Sequence, residues 1–110
     1  MEIKKFIENK TLTVELFGRL DIAAAPEFDE MLKNSTDQVK YLIIDFRELD
    51  YIASAGLRVL LKYQKKFERD GSVMKIKNVK PEVLEVFKIS GFYDFLNIVD
   101  NHSKRISIEF

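Results

Sequence analysis

The stretch "YIASAGLRVLLKY" (51–63) sets one serine between two alanines, ahead of Gly56 and a helical pattern of apolar and basic residues. A serine so placed could be a hydrolase nucleophile, a site of covalent modification, or the polar cap of a helix. A nucleophile needs a base and an acid to orient it. "IASAG" fits the Gly-x-Ser-x-Gly elbow except at its first glycine, where Ile52 stands. The chain has a single histidine, His102, in a weakly patterned C-terminal stretch. No catalytic activity is expected.

The carboxylates Asp21, Asp45 and Asp50 fall at or just after the ends of strand-like runs. In an open α/β sheet those ends share one rim, where sites gather. A divalent cation would suit three carboxylates there, but loop aspartates more often form turns. Cysteine is absent, which excludes disulfides and thiolate metal sites. No dinucleotide fingerprint, phosphate loop or zinc-protease motif occurs, so no metal and no cofactor are expected.

Capping is the plainest role for Ser54: its hydroxyl would accept a backbone N–H two or three residues on, worth about 1 kcal/mol. Ala53, Ala55 and Gly56 leave that helix entrance small and bare. Free N–H groups and the positive helix end would then face an anion brought there.

The elements that must position this serine follow from periodicity. "EIKKFIE" reads as a short edge strand, and "NK" turns it into "TLTVELF", where Leu12, Val14 and Leu16 alternate onto one face. Gly18 is expected to end this hairpin, and a helix to begin at Pro26, with Phe28, Met31 and Leu32 as its inward stripe. "YLIIDF" (41–46) is a continuous apolar run, the mark of a strand covered on both faces. "RELDYIA" is expected to cross to a helix after Ser54 that carries Leu57, Leu60, Leu61 and Phe67 inward and ends at Gly71. "SVMKIKN" is the next strand, "KPEVLEVFKISG" a helix from Pro81 to Gly91, and "FLNIV" (95–99) a last buried strand. Helices are thus predicted near 26–34, 55–70 and 81–90. The fold class is α/β: a mixed, mostly parallel sheet of about five strands packed with three or four helices. Residues 1–100 form the domain, and 101–110 a tail in which "ISIEF" alternates like a short strand.

At 110 residues, 46% hydrophobic and 33% charged, the chain has the size and make-up of one ordinary globular domain. Eighteen basic and eighteen acidic side chains cancel, so no global field favours nucleic acid or an anionic membrane. Uncharged runs are too short to span a bilayer, and no export signal opens the chain. The expectation is a cytoplasmic protein.

In order and spacing, three segments resemble the STAS domain family of anti-sigma factor antagonists and sulfate-transporter tails: "GRLDIAAAPEF", "YLIIDFRELDYIASAGLRVLL" and "GSVMKIKNVKPEVLEVFKISGFYDFLNIVD". The family's phosphorylated serine lies two residues before the motif glycine, which here is Ser54. Ala53 stands where the family has an aspartate, Ala55 and Arg58 are further variations, and Asp21 matches the aspartate of the neighbouring loop. The family's C-terminal helix has no counterpart in "NHSKRISIEF". The resemblance implies an antagonist that binds a kinase-type anti-sigma factor, which supplies its own ATP. Phosphorylation of Ser54 would release it, and a phosphatase acting on phosphorylated Ser54 would reset it. Partner binding would then fall on Asp21, Ile22, Ala53, Ser54, Ala55, Gly56 and Arg58. The alternative it leaves open is a STAS scaffold that is never phosphorylated, or one that holds a small ligand.

Overall fold

The structure is a computed structural model that describes residues 1–99. Two strands open the chain, β1 (Glu2–Glu8) and β2 (Thr11–Leu20), paired antiparallel across the turn at Asn9, whose φ of 57° is the left-handed conformation this tight hairpin needs. Helix α1 (Ala25–Ser35) leads to β3 (Tyr41–Ile52), helix α2 (Ser54–Arg69) to β4 (Val73–Lys77), and helix α3 (Pro81–Ser90) to a 3₁₀ turn at Tyr93–Phe95. The sheet order is β1-β2-β3-β4, with β2, β3 and β4 parallel. Each parallel step moves to the neighbouring strand in the same direction. With right-handed crossovers, that direction puts α1 and α2 on one face of the sheet.

That face is the core. Leu12, Val14 and Leu16 of β2, Leu42, Ile44 and Phe46 of β3, and Met74 and Ile76 of β4 are buried, as the strand period requires. Phe28 and Leu32 of α1, Leu57, Leu60 and Phe67 of α2, and Val83 and Phe87 of α3 close over them. Phe87 meets Phe46 edge to face, with ring centroids 5.9 Å apart at 68°. The opposite face stays partly open: Phe6, Thr13, Ile43 and Lys75 lie in one register row across the four strands, and Phe6 and Lys75 are exposed.

Four boundaries differ from the sequence expectation. Gly18 does not end β2; it sits at φ +101° beside two register shifts, and the strand resumes to Leu20. Strand β3 continues past Phe46 to Ile52, because extra residues bulge out and the pairing with β2 is recovered at Arg19–Tyr51 and Leu20–Ile52. The helix expected at Pro26 starts one residue earlier, at Ala25. The strand expected over 95–99 is reduced to a 3₁₀ turn and one parallel bridge, Ile98 to Ile76, so the sheet has four strands among the described residues, against the expected five or so. Gly71 and Gly91 terminate α2 and α3 in the left-handed conformation, as expected. The alternation expected in "ISIEF" and the base candidate His102 lie outside the described residues.

Candidate functional site

Parallel strands β2 and β3 end side by side, with Leu20 paired to Ile52. The pairing runs one residue further than the strand, since Ala53 N–H donates to Leu20 O at 2.9 Å. This last bond decides where α2 begins. Ala53 is held extended (φ −95°, ψ 168°), its carbonyl accepts Leu57 N–H at 3.1 Å, and it is therefore the N-cap. Ser54 becomes the first helical residue. The expected capping bond from Ser54 is absent: no side chain caps α2. Ser54 is exposed, and its hydroxyl has no hydrogen-bond partner among the described residues.

The floor of this entrance is Gly56. A Cβ there would lie 2.7 Å from Leu20 Cγ and 3.1 Å from Ile52 Cγ1, both of them side chains of the core. Glycine lets the first turn of α2 settle on the ends of β2 and β3. Gly56 is itself buried, so it shapes the surface without being on it.

Beside the entrance runs the β2–α1 loop. Asp21 organises it: its carbonyl accepts Ala24 N–H and Ala25 N–H at 3.1 and 3.0 Å, and its Oδ1 accepts Ala24 N–H at 2.9 Å. The carboxylate is thus spent on the loop and on the start of α1. Ile22, next in line, is 76% exposed, so its side chain is open to a partner. The structure brings Asp21, Ile22, Ala53, Ser54 and Ala55 to one rim, and Arg58 one turn up α2 on an exposed position.

Two features of this rim were not legible in the sequence. Arg19 stacks on Tyr51, its guanidinium carbon 4.0 Å from the ring centroid. Lys80 pairs with Asp50, and that hydrogen bond raises the lysine pKa above its ordinary value. Only strand register makes Arg19 and Tyr51 neighbours, and no spacing along the chain signals it. Asp45 is buried below the rim, accepting Asn78 Nδ2–H at 3.0 Å and Arg47 N–H at 2.9 Å. Asp21, Asp45 and Asp50 therefore have separate local partners, and among the described residues no three ligating side chains gather around one point. No helix among them is long and apolar enough to cross a membrane.

A family model described as the STAS domain matches residues 2–104. The chain belongs to the STAS domain family. This STAS domain is 33% identical over 87 residues to BtrV of Bordetella bronchiseptica, a protein named for anti-sigma factor antagonism, covering 78% of this chain and 75% of BtrV. It is 28% identical over 87 residues to the anti-sigma-B factor antagonist of Bacillus subtilis, covering 79% and 80% of the two chains. Its fold superposes on the anti-sigma factor antagonist SpoIIAA in its unphosphorylated form with a TM-score of 0.76, at 20% identity, over 98% of this chain and 96% of the other. The phosphorylated form of Bacillus SpoIIAA gives 0.70 at 19% identity, over 97% and 99%.

Proposed function

We propose that this STAS domain is an anti-sigma factor antagonist whose partner is a kinase-type anti-sigma factor, and that Ser54 is the residue that switches it. Unphosphorylated, the domain binds the kinase through Asp21, Ile22, Ala53, Ser54, Ala55 and Arg58, with Gly56 beneath them, and the sigma factor is freed. The kinase then transfers the γ-phosphoryl group of its ATP to Ser54 Oγ, which gives up its proton as ADP leaves. The complex separates, and a phosphatase restores the hydroxyl by hydrolysis.

The observation that carries this reading is the unemployed hydroxyl of Ser54. It is exposed, it lies at the first position of a long helix, and it takes no part in holding the fold. A kinase can modify it without breaking anything. The phosphate, with about 1.5–2 negative charges, is tolerated by the helix end internally but is costly inside a desolvated contact. The names of the two relatives support the class of partner.

Affinity capture from native extract, with mass spectrometry of the partner and of Ser54, is the test. Recovery of an ATPase of the histidine-kinase type and a phosphate on Ser54 is expected. In calorimetric titration against that kinase, Ser54→Ala should bind about as well as wild type and Ser54→Asp at least tenfold more weakly. Equal affinities for the two variants would remove the switch and leave a STAS scaffold.

A further inference from the structure

We propose that Arg58 is the intramolecular receptor of the phosphoryl group on Ser54, so that phosphorylation withdraws a cation from the partner surface as well as adding a charge to it. The inference rests on Ser54 being the phosphorylated residue and names what happens to that group once it is there.

Ser54 and Arg58 are four residues apart on α2. Residues i and i+4 on a helix share a face, with Cβ atoms about 5–6 Å apart. Both side chains are exposed, and neither has a hydrogen bond, ion pair or ring contact among the described residues. Three other basic groups near this rim are already engaged. Lys62, one turn further along α2, is held by Asp29 at 3.0 Å; Arg19 lies on the Tyr51 ring; Lys80 is paired with Asp50. The nearby carboxylate of Asp21 is turned onto Ala24 N–H. The first turn of α2 has no acidic residue, so nothing within that turn competes for the guanidinium.

A phosphate on Ser54 would be the missing partner. The order, acid N-terminal to base at i,i+4, is the favourable one on a helix. A guanidinium presents two parallel N–H donors to phosphate oxygens, a match that lysine cannot reproduce. Before phosphorylation the guanidinium is exposed, with no contact among the described residues. Afterwards it is folded onto its own helix.

The test uses the full chain with phosphoserine placed at position 54 during translation, which makes it independent of any kinase. The second ionisation of the phosphate, ordinarily near pH 6, is followed by ³¹P NMR titration in low salt. Wild type should titrate about 0.2–0.4 of a unit lower than Arg58→Gln, with Arg58→Lys recovering part of the shift. The difference should collapse in 1 M salt, where screening acts within about 3 Å. Equal values for wild type and Arg58→Gln would overturn the proposal. So would an equal displacement in Lys65→Gln, an exposed lysine further along α2, since that would mark a diffuse field rather than a contact. Absence of phosphate on Ser54 in material from the native host would defeat the functional reading while leaving the titration to decide on Arg58.

Discussion

Ser54 owes its availability to its neighbour. Because Ala53 N–H is drawn onto Leu20 O, the extended residue that caps α2 is an alanine, and the serine is pushed one position into the helix. The stability assigned to a capping serine therefore does not apply. Ser54→Ala should leave the unfolding free energy within about 0.5 kcal/mol of wild type, the range of exposed surface changes. Ser54→Asp should gain about 0.3–1 kcal/mol from an acid at a helix N-terminus. Denaturant unfolding of both variants checks this. A loss of about 1 kcal/mol or more in Ser54→Ala would show that the hydroxyl is a cap after all. Stability and partner affinity should thus move in opposite directions in the aspartate variant.

At the scale of elements, the site depends on how close α2 sits to the sheet and how firmly α1 is tied to α2. Gly56 governs the first. The Cβ of Gly56→Ala would meet Leu20, which is fully buried and has little room to give. Overpacking costs about 1–3 kcal/mol, and the better helix propensity of alanine returns about 1 kcal/mol. A net loss of up to about 2 kcal/mol is expected in equilibrium unfolding; a stabilised variant would mean that the helix can lift without penalty. The second tie is Asp29 of α1, which accepts from Lys62 Nζ at 3.0 Å and from Tyr63 Oη–H at 2.9 Å, both on α2. Burial pushes the Asp29 carboxyl up, but the hydrogen bonds from Lys62 and Tyr63 outweigh it and hold the group below its ordinary 3.8. The same contact, after burial, raises the Tyr63 phenol above its ordinary value. A carboxyl with a depressed folded pKa contributes stability that is complete above its unfolded value, and loses it as pH falls through the folded one. With the Asp29 side chain 35% exposed, the pair is worth about 1 kcal/mol at most. Melting temperatures from pH 6 down to pH 2.5 should fall less steeply in Asp29→Asn than in wild type. Parallel acid limbs would show that the tie carries nothing.

For the molecule as a whole, the formal charge sums to zero, and the likeness to SpoIIAA extends over nearly the full chain. Recognition must then come from a local surface rather than from a global field. The rim supplies one. Exposed Ile22 stands next to the bare entrance of α2, and Arg19 on Tyr51 flanks it. An aliphatic group and a cation beside small residues suit close approach by another protein, and the phosphate on Ser54 would fall inside that contact.

The sequence by itself determined the core and the class of fold. Period-two alternation in β2, the unbroken apolar run of β3 and the helical stripes of α1 and α2 are local patterns. Burial follows them except at Met31 and Leu61, which are only half-buried, while Val59 and Tyr63 of α2 are buried. It also pointed to Ser54, because a lone small polar residue before glycine at a strand–helix junction is a local feature. What only the tertiary structure decided is whatever depends on pairing between distant segments. The bulges that carry β3 on to Ile52, the bond from Ala53 to Leu20 that shifts the cap, and the meeting of Arg19 with Tyr51 all depend on register between β2 and β3. Periodicity within one segment does not encode the register against another. The strand expected over 95–99 fails for the same cause: "FLNIV" is apolar enough for a strand, but among the described residues it bridges its neighbour only at Ile98 and Ile76.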